Sequence, residues 1–210
     1  MKKHLLFFVC AFLLLTLTSS SQVFFKKDKL FGATAGLNFS SDNTDPSNSL
    51  PRQYSRNIAF YPSFSWAVKN NLAMGIRGNF SYYKLVAKGL MQNYLNNSLQ
   101  VGSELFLRKY KILKDRFGLF FNHGINVDYT KSTVIANQDK INGRVWQGGY
   151  NFTPGAFYKF GERFLGEASF GGASIQYTKN SDGTKSFDAG INFLSYFNVG
   201  IQYIIHGKKS

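Results

Sequence analysis

Six charged residues are the side chains best placed to do chemistry. Read as alternating strands, the chain puts Arg77, Arg108 and Lys159 on the same face as Glu104, Asp128 and Glu167. Such a set can move protons, hold a charged solute, or neutralise itself. Three cations matched by three anions point to a paired network filling an interior, with a gate as the competing reading. A hydrolase would need a nucleophile and a base within reach of each other. His4 sits in the leading segment and His206 in the tail, while His123 shares the parity of Phe121 and Ile125, opposite the six charges. No Ser-His-acid set can be assembled, although an Asp or Glu general base stays open. No metal-ligand spacing and no phosphate-cradling glycine motif occurs, because the glycines follow strand parity. Catalytic, cofactor-binding and metal-binding residues are therefore expected to be none.

The elements that position these charges are strands. The last one, Ala189 to Ile205, sets the pattern. Ile191, Phe193, Phe197, Val199, Ile201, Tyr203 and Ile205 share one parity, and Gly190, Asn192, Tyr196, Asn198, Gly200 and Gln202 share the other. One face is apolar and the other small and polar. The stripe is long enough to cross a hydrocarbon layer as a tilted strand. Seven further segments alternate in the same way, beginning near Phe31, Ile58, Leu72, Leu99, Phe117, Arg144 and Phe164. The alternation falters at Gly171-Gly172, where a bulge is expected. Four long connections, Ser41–Ser55, Leu85–Asn97, Thr130–Gly143 and Lys179–Asp188, alternate with short turns. Two proline-marked hairpins, Phe60-Tyr-Pro62 and Phe152-Thr-Pro154, suggest two four-strand halves, each proline marking a bulge.

Composition agrees. The 210 residues include 22 Phe, 12 Tyr and 20 Gly, with only 17% charged. Lys and Arg outnumber Asp and Glu by 25 to 11. No Lys/Arg run exceeds two residues, so the excess suits anionic lipid headgroups and argues against nucleic acid. Residues 1–21 read as a secretory signal peptide. Lys2 and Lys3 form the basic region, Leu5 to Leu17 the apolar one, and Thr18-Ser-Ser-Ser21 the cleavage zone. The cut is expected near Ser21/Gln22. Cys10, the only cysteine, leaves with that segment, which removes disulfides and thiolate chemistry from residues 22–210. A lipoprotein reading of Cys10 would leave the apolar region too short.

Alternation alone does not separate a membrane barrel from a soluble one turned inside out. The polar face decides: it is mostly Gly, Ser, Asn and Ala, as a narrow lumen requires. Trp66, Tyr82, Tyr129, Trp146, Tyr158 and Tyr203 lie near strand ends, where aromatic girdles belong. The segment Asn198-Val-Gly200-Ile-Gln-Tyr203-Ile-Ile205 resembles the C-terminal insertion signal of bacterial outer-membrane barrels, with Asn198, Gly200, Tyr203 and Ile205 as its elements. His206-Gly-Lys-Lys-Ser210 departs from it by following the last aromatic stretch.

With these features the chain resembles the small outer-membrane β-barrel family, the OmpA/OmpX-like group, from about Phe31 to Ile205. The reading is an all-β, eight-stranded antiparallel up-and-down transmembrane β-barrel at residues 22–210. The resemblance implies an integral bacterial outer-membrane protein, inserted by the barrel assembly machinery. It would be a monomer in outer-membrane lipid with no cofactor, and an extracellular or envelope protein would be its partner. A structural, anchoring or surface-interaction role with a plugged lumen is expected. The alternatives are a narrow porin-like channel for small solutes and, third, a lipid-modifying barrel enzyme.

Overall fold

A computed structural model of the chain describes residues 22–42, 52–88, 93–136 and 139–207. The predicted signal segment, with His4 and Cys10, lies outside the described residues. Eight strands run in order: β1 (Lys29–Asp42), β2 (Arg52–Lys69), β3 (Leu72–Lys88), β4 (Asn93–Lys114), β5 (Phe117–Ala136), β6 (Asp139–Lys159), β7 (Phe164–Asn180) and β8 (Lys185–Ile205). Each pairs antiparallel with the next, and β1 pairs with β8 to close the barrel. This is the expected up-and-down topology.

The greasy face points outward. Phe31, Ile76, Leu105, Ile125, Val199 and Ile201 are all exposed on the outer wall. A surface this apolar would not stay dispersed in water, and it matches a barrel solvated by lipid. Aromatic residues bound the band at both ends. Trp66, Tyr158, Phe164 and Tyr203 lie at the end carrying the short turns, and Tyr82, Tyr129 and Trp146 lie toward the long connections. The rings of Tyr129 and Trp146 are 4.9 Å apart, and those of Phe164 and Tyr203 5.0 Å. On β5, Phe117 at one belt and Tyr129 at the other are twelve positions apart. At about 3.3 Å per residue and a tilt of roughly 40°, that step spans about 30 Å of membrane thickness.

The strands run well past the alternating segments. Three stretches expected to be loops, at Leu85–Asn97, Thr130–Gly143 and Lys179–Asp188, are largely paired strand, for example Thr133 opposite Asn142 and Lys179 opposite Lys185. Outside the hydrocarbon both faces of a strand are wet, so the apolar alternation fades while the backbone ladder continues. The wall is less regular on the other side of the barrel. β1 and β8 pair only from Lys29/Ile205 to Gly36/Asn198. Beyond that point β1 continues on β2 alone, and β8 pairs with β7 alone, at Phe197 and again from Asn192 to Lys185.

The expected bulge in β7 is present. The register slips between Phe170 and Gly172, and Gly171 takes a φ of 67° that a β-carbon would strain. The two prolines are not equivalent, contrary to the repeat reading. At Pro154 the β6–β7 register slips between Phe152 and Gly155. At Pro62 the β2–β3 pairing lapses between Phe60 and Ser63, then resumes in the same register. Each proline removes one ladder donor, but only β6 also faces the Gly171–Gly172 bulge.

Candidate functional site: the barrel lumen

The lumen is built in layers. Nearest the short turns it is apolar, which the sequence reading of a small polar inner face did not anticipate. Tyr110, Ile112, Phe120, Phe157, Leu165 and Ile204 point inward there and are buried. Val23 and Phe24 fold into this end, while Phe25 stays exposed. Val23 is 1% exposed and Phe24 0%, and the Phe24 ring meets Tyr110 edge-on at 5.1 Å. The Val23 amide donates to Asn71 Oδ1 at 2.7 Å, and Lys159 Nζ donates to the Val23 carbonyl at 3.3 Å. Asp28 ties the same end together. Its carboxylate accepts from the Phe25 and Gly207 amides, each at 2.9 Å, and lies 3.1 Å from His206 Nδ1. His206 and Gly207, which follow the insertion-signal pattern, are thereby held next to the start of β1.

Above this floor lies the charge network. Arg77 and Glu104 stand directly opposite each other in the β3–β4 register and form an ion pair. Glu104 Oε1 also accepts from Asn122 Nδ2 at 3.0 Å, and Asn122 Oδ1 accepts from Arg108 Nε at 3.1 Å. Arg108 Nη1 then reaches Glu167 Oε2 at 2.7 Å, and Tyr110 donates to Glu167 Oε1 at 2.6 Å. Gln202 Nε2 adds a bond to Glu167 at 3.3 Å. The Arg108 guanidinium is 4.8 Å from the Phe120 ring centre. One connected set of bonds thus crosses the interior between β4 and β7, which are not neighbours. No desolvated charge in it is left alone, which is the condition for tolerating buried ions.

Two of the six predicted charges depart from the ion-paired scheme. Asp128 accepts from Asn79 Nδ2 at 2.9 Å and from Asn126, so amides rather than a cation satisfy it. Lys159 faces the interior but bonds the Val23 carbonyl at the floor, one turn-end away from the acids. Neighbouring strands bring Arg77 to Glu104, but height along the barrel decides the others. Tyr110, Asn122, Val23 and Phe24 are the members that the charges did not reveal. Tyr110 and Phe120 share the lumen parity, so alternation without regard to polarity would have found them.

Toward the long connections the lumen opens into a cavity of about 500 Å³, lined by Asn79, Asn126, Asp128, Asn151, Ser169 and Asn198 among others. Among the described residues no three His, Cys, Asp or Glu side chains gather to hold a metal. His123 lies on the outer wall, as its parity predicts, with Nδ1 2.6 Å from the Tyr150 hydroxyl. The residues of the terminal pattern follow β8: Asn198 and Gly200 face the lumen, while Tyr203 and Ile205 face outward.

No protein-family model matches the chain, and no curated protein sequence does. Solved structures do. The outer membrane protein OprG from Pseudomonas aeruginosa is similar with a TM-score of 0.52 and 13% identity, covering 89% of this chain and 100% of OprG. The chain has the fold of an outer-membrane barrel. Neisserial surface protein A is a looser match, with a TM-score of 0.41 and 11% identity over 84% of this chain and 96% of its own. Ail of Yersinia pestis gives 0.37 and 14% over 86% and 99%. At these identities the likeness concerns the fold alone, and the eight-stranded, in-order closure is what the chain shares with OprG.

Proposed function

We propose that the chain is an integral outer-membrane barrel of the small OmpA/OmpX-like group with a structural, anchoring or surface-interaction role and a plugged, non-catalytic lumen. Residues 1–21 direct export and are removed, the barrel assembly machinery inserts residues 22–210, and the monomer resides in outer-membrane lipid. The long hairpins are presented outside the cell to a protein partner, or the barrel makes an anchoring contact within the envelope. The observation that carries the plugged reading is the lodging of Val23 and Phe24 against Tyr110 and Phe157 beneath the charge network. Among the described residues, an apolar floor with a paired layer above it supports a lumen closed to ions.

The test is conductance. The unmodified protein, reconstituted in a planar bilayer, is expected to be electrically silent. Phe24→Ala, which opens the floor, is expected to give flickering openings. The narrow porin-like channel is the second reading, favoured by the cavity at the long-connection end. Steady openings in the unmodified protein would establish it and remove the plug.

A further inference from the structure

The outer wall carries like charges placed side by side. Lys131 and Arg144 are direct cross-strand partners on β5 and β6, and Lys179 and Lys185 are direct partners on β7 and β8. Between these pairs, Lys179 stands opposite Trp146, so Arg144 and Lys179 are diagonal neighbours. Four contiguous strands therefore carry a row of four exposed cations. Arg56 opposite Lys84 repeats the arrangement on β2 and β3. Like charges directly opposite destabilise a ladder, so three such pairs at one level call for an anion outside the protein. Among the described residues no carboxylate forms an ion pair with these cations. The three ion pairs among the described residues lie elsewhere. Asp182, in the turn between Lys179 and Lys185, accepts from the hydroxyl and amide of Thr184, which hold its carboxyl below the usual range, and Asp188 accepts from Ser186; neither forms an ion pair with the row.

Height identifies the anion. Each pair sits two residues beyond an outward pair with an aromatic ring: Tyr129 with Trp146, Tyr177 with Phe187, and Ile58 with Tyr82. Two residues are about 7 Å along a strand. Aromatic belts mark the edge of the hydrocarbon, so the cations lie at the depth of lipid headgroups. We propose that the row Lys131, Arg144, Lys179 and Lys185 is a binding surface for phosphate-bearing anionic lipid at the long-connection end of the barrel. A zwitterionic headgroup brings its own cation and leaves the row unneutralised, whereas a phosphate monoester offers up to two charges and several acceptor oxygens. This rests on the membrane reading above, and it adds which lipid the wall selects.

The chain's two tryptophans allow a local test. Trp146 adjoins the cation row and Trp66 lies at the opposite belt, so Trp66→Phe and Trp146→Phe each leave one reporter. The barrel is refolded into phosphatidylcholine vesicles containing a minor fraction of dibrominated phosphatidic acid or dibrominated phosphatidylcholine, and quenching is compared. At Trp146 the phosphatidic acid is expected to be enriched about five-fold or more, the effect of one well-engaged cation. The K131Q/R144Q/K179Q/K185Q variant is expected to abolish that enrichment and leave Trp66 unchanged. Migration on an unheated gel shows that the variant is folded; should it not fold, K131Q/R144Q and K179Q/K185Q separately read the same loss. Equal quenching by the two lipids at Trp146, or enrichment that survives the four substitutions, overturns the proposal while leaving a membrane barrel. Loss of enrichment on adding inorganic phosphate, but not chloride of equal ionic strength, also overturns it in favour of a soluble-phosphate site. Failure of either brominated lipid to quench either tryptophan would instead refute the membrane reading.

Discussion

Removing the Arg77–Glu104 pair one partner at a time tests both the register and the energetics of the lumen. Arg77→Ala strands a carboxylate whose side chain is 1% exposed, with only the Asn122 amide still donating to it. Breaking a buried pair in this way costs about 3–5 kcal/mol. Glu104→Ala is milder. The Arg77 side chain is 16% exposed on the cavity side and stays 5.6 Å from the Tyr61 ring, so the stranded charge keeps some solvation and about 2–3 kcal/mol is expected. The double variant leaves no unpaired charge. It still unpairs the Asn122 amide, for about 1–3 kcal/mol. The double loss should therefore fall short of the summed singles by roughly 4–5 kcal/mol. Equilibrium urea unfolding in lipid vesicles, followed by tryptophan fluorescence, measures all four proteins. Additivity within about 0.5 kcal/mol would mean that the two side chains do not meet, and the network described above would be wrong.

Three other expectations follow from particular positions. A β-carbon at Gly124 would press on the Glu104 carboxylate and lie 2.7 Å from Asn151 Oδ1, so Gly124→Ala should lower unfolding stability by about 1–3 kcal/mol, while Gly161→Ala, in open space, should change nothing measurable. Cysteines at Asn48 and Asn137 should react with an impermeant thiol reagent on intact cells and a cysteine at Asn70 should not, since Asn70 lies in a short turn; the reverse pattern would invert the topology. Tyr203→Ser should reduce insertion in cells yet leave refolding in vitro intact. Gly200 is unsuited to that test, because a β-carbon there would meet the Ala33 carbonyl at 2.8 Å and disturb barrel closure itself. Unchanged outer-membrane levels of Tyr203→Ser would make the terminal pattern ordinary strand sequence.

The sequence by itself determined the strands, their order and the direction each face points. Alternation is a local property of the backbone, so Ile125 outward and Asn126 inward follow from position alone. Neighbours in sequence are also neighbours in space, and Arg77 and Glu104, each about five residues above the Leu72–Lys109 pair toward the short-turn end, stand at equal height on β3 and β4. Where both faces are wet that signal vanishes, which is why paired hairpin at Thr130–Gly143 read as loop. Contacts across the lumen are different in kind. Arg108 meets Glu167 from a non-adjacent strand, and no local spacing encodes the tilt and stagger that bring those heights together. The same holds for Phe24, which precedes the first strand and carries no alternation to follow. Only closure of the wall creates the apolar end that buries it.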